Sequence, residues 1–243
     1  MKNLENHIPI IQAPMAGYTT PELVAAVSNA GAIGSFGFAF SNGERIDADL
    51  SEARKLTDKP INANFFVFAE QHAPSDKDSK IAIDVLGSLP LAADIAYQSL
   101  SAPFSPSLER QLEPIWKHKP EFLTFHFGLP PKYILQKAQS LGMCVGVTAT
   151  CLEEAKAIEN HGADFVIAQG IQAGGHRGTF SIDGEGDQKF LTFDLLKILK
   201  ENCVLPVVCA GGIMNGGDIV TYLNAGAAAV QMGTSFLCCD EAG

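Results

Sequence analysis

The sequence predicts an α/β fold, a (β/α)8 or TIM barrel, and three observations carry that prediction. Short apolar runs alternate with helical patterns along nearly the whole chain, and eight strand-like runs can be counted. Those runs read as apolar on both faces, which suits parallel strands covered by helices. Three of them end in glycine: residues 164–178 (DFVIAQGIQAGGHRG), 205–212 (LPVVCAGG) and 228–236 (AAVQMGTSF). A glycine-ended strand lets backbone N–H groups approach an anion without interference from a Cβ atom. In barrels of this kind the loops after strands seven and eight often hold a cofactor phosphate. A doubly wound sheet would call for G-x-G-x-x-G near the first strand, where the chain instead reads Gln12-Ala13-Pro14-Met15-Ala16-Gly17.

The elements follow in order. Residues 8–12 read as the first strand and 21–30 as a helix, with Thr20 as N-cap, Pro21 at its first position and a stop at Asn29-Ala30-Gly31. Residues 32–36 and 43–56 form the next strand and helix, and 61–68 the third strand. Residues 70–106 break the rhythm with a polar stretch (QHAPSDKDSK), an apolar helix-like run and Ser/Pro punctuation. They read as a crossover helix plus an irregular excursion over the barrel mouth. The alternation then resumes with strand 122–127 and helix 131–141, strand 144–147 and helix 152–161 stopped by Gly162, and strand 165–168 with a turn and helix 193–201. Strand 207–209, helix 217–225 and strand 228–232 complete the eight, and only residues 237–243 follow. The expectation is one domain over residues 1–243, short after its eighth strand.

Composition narrows the function. With 47% hydrophobic and 18% charged residues and no low-complexity tract, the 243-residue chain can bury a sizeable core. A formal net charge of −10 and the lack of any Lys/Arg run argue against a nucleic-acid or anionic-membrane partner, so an anion must be held locally by glycine amides. The cysteines at 144, 151, 203, 209, 238 and 239 form no C-x-x-C pair and show no zinc spacing, and read as buried free thiols. No metal is expected. The N-terminus lacks a signal-peptide pattern and no run of about 18 apolar residues offers a membrane span, so the expected location is the cytoplasm.

Within Gln169-Gly170-Ile171-Gln172-Ala173-Gly174-Gly175-His176-Arg177-Gly178, glycines flank a His-Arg pair at the C-terminal end of a strand, where barrels put their active-site groups. Imidazole changes protonation near neutrality, so His176 is a candidate general base. Arg177 is either part of that chemistry or a structural ion-pair partner.

At this point the chain resembles the nitronate monooxygenase family, formerly 2-nitropropane dioxygenases, which are FMN enzymes on a TIM barrel. The matching text is Ile11-Gln12-Ala13-Pro14-Met15-Ala16-Gly17, Asn64-Phe65-Phe66-Val67, Phe125-His126-Phe127-Gly128-Leu129-Pro130, Ala173-Gly174-Gly175-His176-Arg177-Gly178-Thr179, Ala210-Gly211-Gly212-Ile213 and Val230-Gln231-Met232-Gly233-Thr234-Ser235-Phe236. The resemblance implies that Ala13, Pro14 and Met15 pass along the flavin ring and that Asn64 and Gln169 hydrogen-bond its polar edge. It implies that Gly174, Gly175, Gly211, Gly212, Gly233 and Thr234 enclose the ribityl phosphate, and that Gln231 and Met232 also belong to the cofactor-binding set. His176 matches the family's catalytic histidine, and His126 is a second candidate whose plain alternative is a histidine packed among aromatics. His7, His72, His118 and His161 receive no role.

The implied reaction takes a nitronate or nitroalkane and O2 to a carbonyl product and nitrite, with propionate 3-nitronate as a candidate substrate and no nicotinamide required. Family members usually continue past strand eight with helices over the mouth, and that segment is not found in this sequence. Two alternatives remain: a flavin-dependent enoyl-acyl-carrier-protein reductase using NAD(P)H, and a non-catalytic flavin-binding barrel. Self-association as a homodimer stays open.

Overall fold

The structure is a computed structural model that describes residues 7–68, 73–88, 103–181 and 186–243. Its strands are β1 (Ile10–Gln12), β2 (Gly34–Gly37), β3 (Ile61–Phe66), β4 (Phe122–His126), β5 (Cys144–Ala149), β6 (Phe165–Gln169), β7 (Val207–Ala210) and β8 (Ala229–Met232). The helices are α1 (Pro21–Asn29), α2 (Gly43–Leu56), α3 (Asp76–Gly87), α4 (Leu108–His118), α5 (Lys132–Ser140), α6 (Leu152–His161), α7 (Thr192–Asn202) and α8 (Gly216–Asn224). Every strand pair is parallel, in the order β1-β8-β7-β6-β5-β4-β3-β2. Backbone bonds from Gln12 N to Ile33 O (2.9 Å) and from Ile33 N to Ile10 O (3.0 Å) bring β1 against the start of β2 and close the seam. The barrel expected from the sequence is therefore the fold.

Side chains alternate across each strand, and the two sets bury against different partners. Ile11, Ile33, Phe122, Phe165, Ile167, Val208, Ala210 and Ala229 form one buried cluster inside the barrel. Strand residues of the other parity, among them Phe65, Leu123, Val147, Val166, Cys209 and Val230, join the helices in the larger core. The interior is tight: a Cβ on Gly146 would stand 2.2 Å from the ring of Phe165, so that ring fills the barrel only because β5 carries glycine there.

One expectation changes here. The strands were read as apolar on both faces, but the inward parity of β2, β3 and β4 carries Ser35, Asn62, Asn64 and Thr124. Asn62 Nδ2 donates to Ser35 Oγ (3.1 Å) and Thr124 Oγ1 (3.0 Å), and Asn64 Nδ2 donates to Thr124 Oγ1 (3.0 Å). A buried polar group is tolerated when it finds a partner, and these satisfy one another within a layer beneath the mouth.

The predicted helix signals hold. Thr20 caps α1, with its Oγ1 accepting from Leu23 N at 3.0 Å and Pro21 at the first position, and Gly162 ends α6 in the left-handed conformation at φ 96°. The sequence reading had no helix at α4, which carries Pro114 inside it, although Ser107 caps it and its buried Leu112 and Ile115 lie three residues apart. Of the irregular stretch 70–106, α3 is a helix without buried residues, and residues 69–72 and 89–102 lie outside the described ones. The cysteines also differ from expectation: Cys151 and Cys209 are buried, but Cys238 is exposed. Burial pushes the Cys209 thiol up to about 12, which makes it an inert core group.

Candidate active site

Strand parity aims Ala13, Asn64, His126, Gln169, Gln231 and Gly233 at the C-terminal mouth, and the following loops close around it. A Cβ on Gly37 would lie 2.9 Å from Ala16 N, so the Ala13-Pro14-Met15 turn crosses directly over the end of β2. A Cβ on Gly233 would lie 3.4 Å from Ala13 Cβ and 3.6 Å from Met15 Sδ, which brings the same turn against the end of β8. A Cβ on Gly211, at φ 117°, would lie 2.7 Å from Ala173 N, and one on Gly212, at φ 71°, 3.0 Å from Gln172 Cβ. Among the described residues a Cβ on Gly174 would meet only Thr234 Oγ1, at 3.9 Å, and one on Gly175, at φ 74°, would meet nothing within 4 Å. The loops after β1, β6, β7 and β8 thus converge, with Gly174, Gly175 and Thr234 around open space.

That arrangement fits a phosphate-bearing group. Backbone amides can surround a dianion where no Cβ intrudes, and a threonine hydroxyl adds a donor. Gln231 Oε1 adds a second sign: it is a buried acceptor with no hydrogen-bond partner among the described residues. Such an atom is costly unless a ligand or water supplies a donor.

The loop after β6 is held in place from several sides. Gln169 Nε2 donates to the carbonyl of His176 (3.0 Å), and Gln169 Oε1 accepts from Gly178 N (2.7 Å). Arg177 pairs with Asp187 through Nε (2.9 Å) and Nη2 (2.7 Å), and its Nη1 donates to Gln169 O. The Arg177 hydrogen bonds hold the Asp187 carboxyl below the usual range. Of the two roles open to Arg177, the geometry supports the structural one.

Glu154 is a residue the sequence reading passed over. It is buried on the first turn of α6 and takes Thr150 N (2.6 Å), Thr150 Oγ1 (2.8 Å) and Phe180 N (2.7 Å), tying the end of β5 to the segment after His176. In a helical pattern the Glu153-Glu154 pair looks like a solvated face, so only its position could reveal Glu154.

The two candidate histidines share this loop but differ in environment. His126 Nε2 stands 3.2 Å from the carbonyl of His176, which requires the proton on Nε2. Its Nδ1 and Cε1 edge lies under Gly178, where a Cβ would stand 3.0 and 2.5 Å away. Burial lowers the His126 pKa to about 4, outweighing the His176 carbonyl, which raises it. His176 itself is exposed, with its ring edge-on to Phe66 (5.5 Å) and Phe127 (5.8 Å). Of the remaining histidines, His118 pairs with Asp47 and His161 bonds Pro130 O, while His72 lies outside the described residues.

The family model described as nitronate monooxygenase matches residues 1–243. The chain belongs to the nitronate monooxygenase family. It is 43% identical to the nitronate monooxygenase of Pseudomonas aeruginosa, covering 96% of this chain and 67% of that protein. It is 40% identical to that of Paraburkholderia phytofirmans, covering 96% and 64%. Among solved structures, a nitroalkane oxidase from Streptomyces ansochromogenes superposes with a TM-score of 0.88 at 35% identity, over 97% of this chain and 67% of that one. FabK from Thermotoga maritima superposes with a TM-score of 0.74 at 28% identity, over 100% and 63%. The chain spans about two thirds of the length of the nitronate monooxygenases it matches. Among its described residues no helix is long and apolar enough to cross a membrane.

Proposed function

We propose that this chain holds FMN at the barrel mouth and oxidises nitronates with O2 to a carbonyl product and nitrite. The observation that carries the reading is the convergence of the His176 loop with the glycine edges after β7 and β8, which brings an exposed imidazole beside an anion cradle. In this reading Gly174, Gly175, Gly212, Gly233 and Thr234 hold the phosphate by backbone amides and a hydroxyl. Ala13, Pro14 and Met15 lie along the ring, and Asn64, Gln169 and Gln231 offer polar atoms to its edge. The bound flavin would supply the redox chemistry, and the protein the binding, orientation and charge stabilisation.

His176 takes the α-proton of a neutral nitroalkane, or orients a nitronate that arrives already ionised. His126 does not share that work: neutral through the physiological range, with its Nε2 proton given to the His176 carbonyl, it acts as a positioning residue for the loop. Gln169 does the same from the other side. The NAD(P)H-dependent reductase is a second reading, kept because the FabK structure shares the fold at 28% identity.

The test is a visible spectrum of the purified protein loaded with FMN, followed by anaerobic addition of a nitronate and, separately, of NADH and NADPH. Bleaching by the nitronate alone supports the oxidation; bleaching only by a nicotinamide supports the reductase. His176→Asn is expected to retain the flavin and lose nitroalkane oxidation, and unchanged oxygen consumption would remove His176 from the mechanism.

A further inference from the structure

Resting on that reading, we propose that Glu154 is a positioning residue for the reaction: its buried carboxylate fastens the chain just after His176 and so sets where the imidazole stands. Between residues 176 and 180 the backbone is tied down at every second residue. The His176 carbonyl accepts from Gln169 Nε2 (3.0 Å) and lies 3.2 Å from His126 Nε2. Gly178 N donates to Gln169 Oε1 (2.7 Å), and Phe180 N donates to Glu154 Oε1 (2.7 Å). The first ties come from β4 and β6 and the last from α6, so the segment is held between barrel and helix.

A glutamate at the third position of a helix often reaches back to its own start, and one oxygen of Glu154 does this. Its Oε2 accepts from Thr150 N (2.6 Å) and Thr150 Oγ1 (2.8 Å), just ahead of α6. That duty leaves Oε1 free, and Oε1 reaches across to Phe180, 26 residues further on. Both oxygens accept, which a carboxylate can do and a carboxamide cannot, because one of its two atoms is a donor. The charge is held at 8% exposure by these three donors and by the N-terminal end of α6. Thr150 and Phe180 are thereby fixed relative to each other.

Packing carries this hold back to His176. Gly178 lies directly on the His126 ring and Thr148, since a Cβ there would stand 2.5 Å from His126 Cε1 and 2.7 Å from Thr148 Cγ2. Releasing Phe180 lets the chain lift from that surface, and the His126 bond to the His176 carbonyl loosens with it. A displacement of about 1 Å at a reacting group can cost about 100-fold in rate.

The test is a double-mutant cycle of Glu154→Gln with His176→Asn, read as kcat and KM for ethyl nitronate per bound flavin in the FMN-loaded protein. Glu154→Gln alone should lower kcat by about 10- to 100-fold, with KM and FMN affinity unchanged. In the His176→Asn background it should cost nothing further, because a residue that acts through another has no effect once that other is gone. An equal loss in both backgrounds, or a loss confined to KM or FMN affinity, would overturn the inference while leaving nitronate oxidation standing. Should Glu154→Gln not fold, Thr150→Val, which removes one donor from the carboxylate, takes its place in the cycle with the same outcomes. A readout that needs no turnover is the ring Cε1–H NMR signal of His176 in the flavin-free protein, identified by its loss in His176→Asn. Glu154→Gln should shift it while the signal of His118, whose ring is held by Asp47, stays in place. An unmoved His176 signal overturns the inference whatever the rates. Should the wild type oxidise no nitronate, the oxidation reading fails, and this signal alone decides whether Glu154 positions His176.

Discussion

Gly178→Ala is the substitution whose cost can be worked most directly from the structure. The added Cβ would stand 2.5 Å from His126 Cε1, 2.7 Å from Thr148 Cγ2 and 3.0 Å from His126 Nδ1. Carbon atoms sit comfortably at about 3.5–4.0 Å, so the ring or the loop must retreat by about 1 Å. Neither can move alone: Gly178 N is bonded to Gln169 Oε1 at 2.7 Å, and the His126 ring to the His176 carbonyl at 3.2 Å. Overpacking of this kind costs about 1–3 kcal/mol, which for a chain of this length lowers Tm by roughly 2–12 °C. The larger effect should be on turnover, because a displacement of about 1 Å at a catalytic group can cost about 100-fold. Thermal melts and nitronate-dependent oxygen uptake, measured on the same FMN-loaded preparation, give both numbers. A variant that melts with the wild type would refute the packing argument. One that melts lower but turns over at the wild-type rate would refute the claim that this loop positions His176.

Gly174→Ala tests the opposite case: its Cβ meets only Thr234 Oγ1 at 3.9 Å, so the flavin-free protein should melt unchanged while the Tm gain on adding FMN shrinks, and an undiminished gain would place the phosphate elsewhere. The depressed pKa of His126 predicts stability that is fully present above about pH 6.5 and lost as pH falls toward about 4, because the unfolded chain binds a proton that the half-buried ring refuses. Between pH 7 and pH 5 this amounts to about 2 kcal/mol. The measurement is the difference in urea unfolding between wild type and His126→Gln at the two pH values; identical pH dependence would show that His126 is not held neutral by burial.

Much of the fold was legible in the chain because its signals are local. Thr20-Pro21 and His161-Gly162 mark helix ends through capping and φ preferences that the residues carry with them, and the glycine-ended runs announced the turns at Gly174, Gly211 and Gly233. Helix α4 was missed because Pro114 interrupts its pattern; its N-cap Ser107 and the spacing of Leu112 and Ile115 were the available signal. The polar layer of Ser35, Asn62 and Thr124 was missed for a different reason, since those residues sit inside runs whose burial looked uniform, and only strand parity separates the inward set from the outward one.

The sequence by itself determined the alternation of elements, the glycine positions and the His-Arg turn, since each follows from what a residue permits its own backbone to do. What Arg177 and His126 do was decided only by the tertiary structure. The salt bridge to Asp187 depends on how the loop after β6 folds back on itself, and the neutrality of His126 depends on burial beneath Gly178, fifty-two residues further along the chain. The same is true of the ring contacts that Phe66 makes with Phe40 and Phe127: the three residues come from segments that barrel closure brings together, and no spacing along the chain encodes a contact that exists only once the strands have found their register.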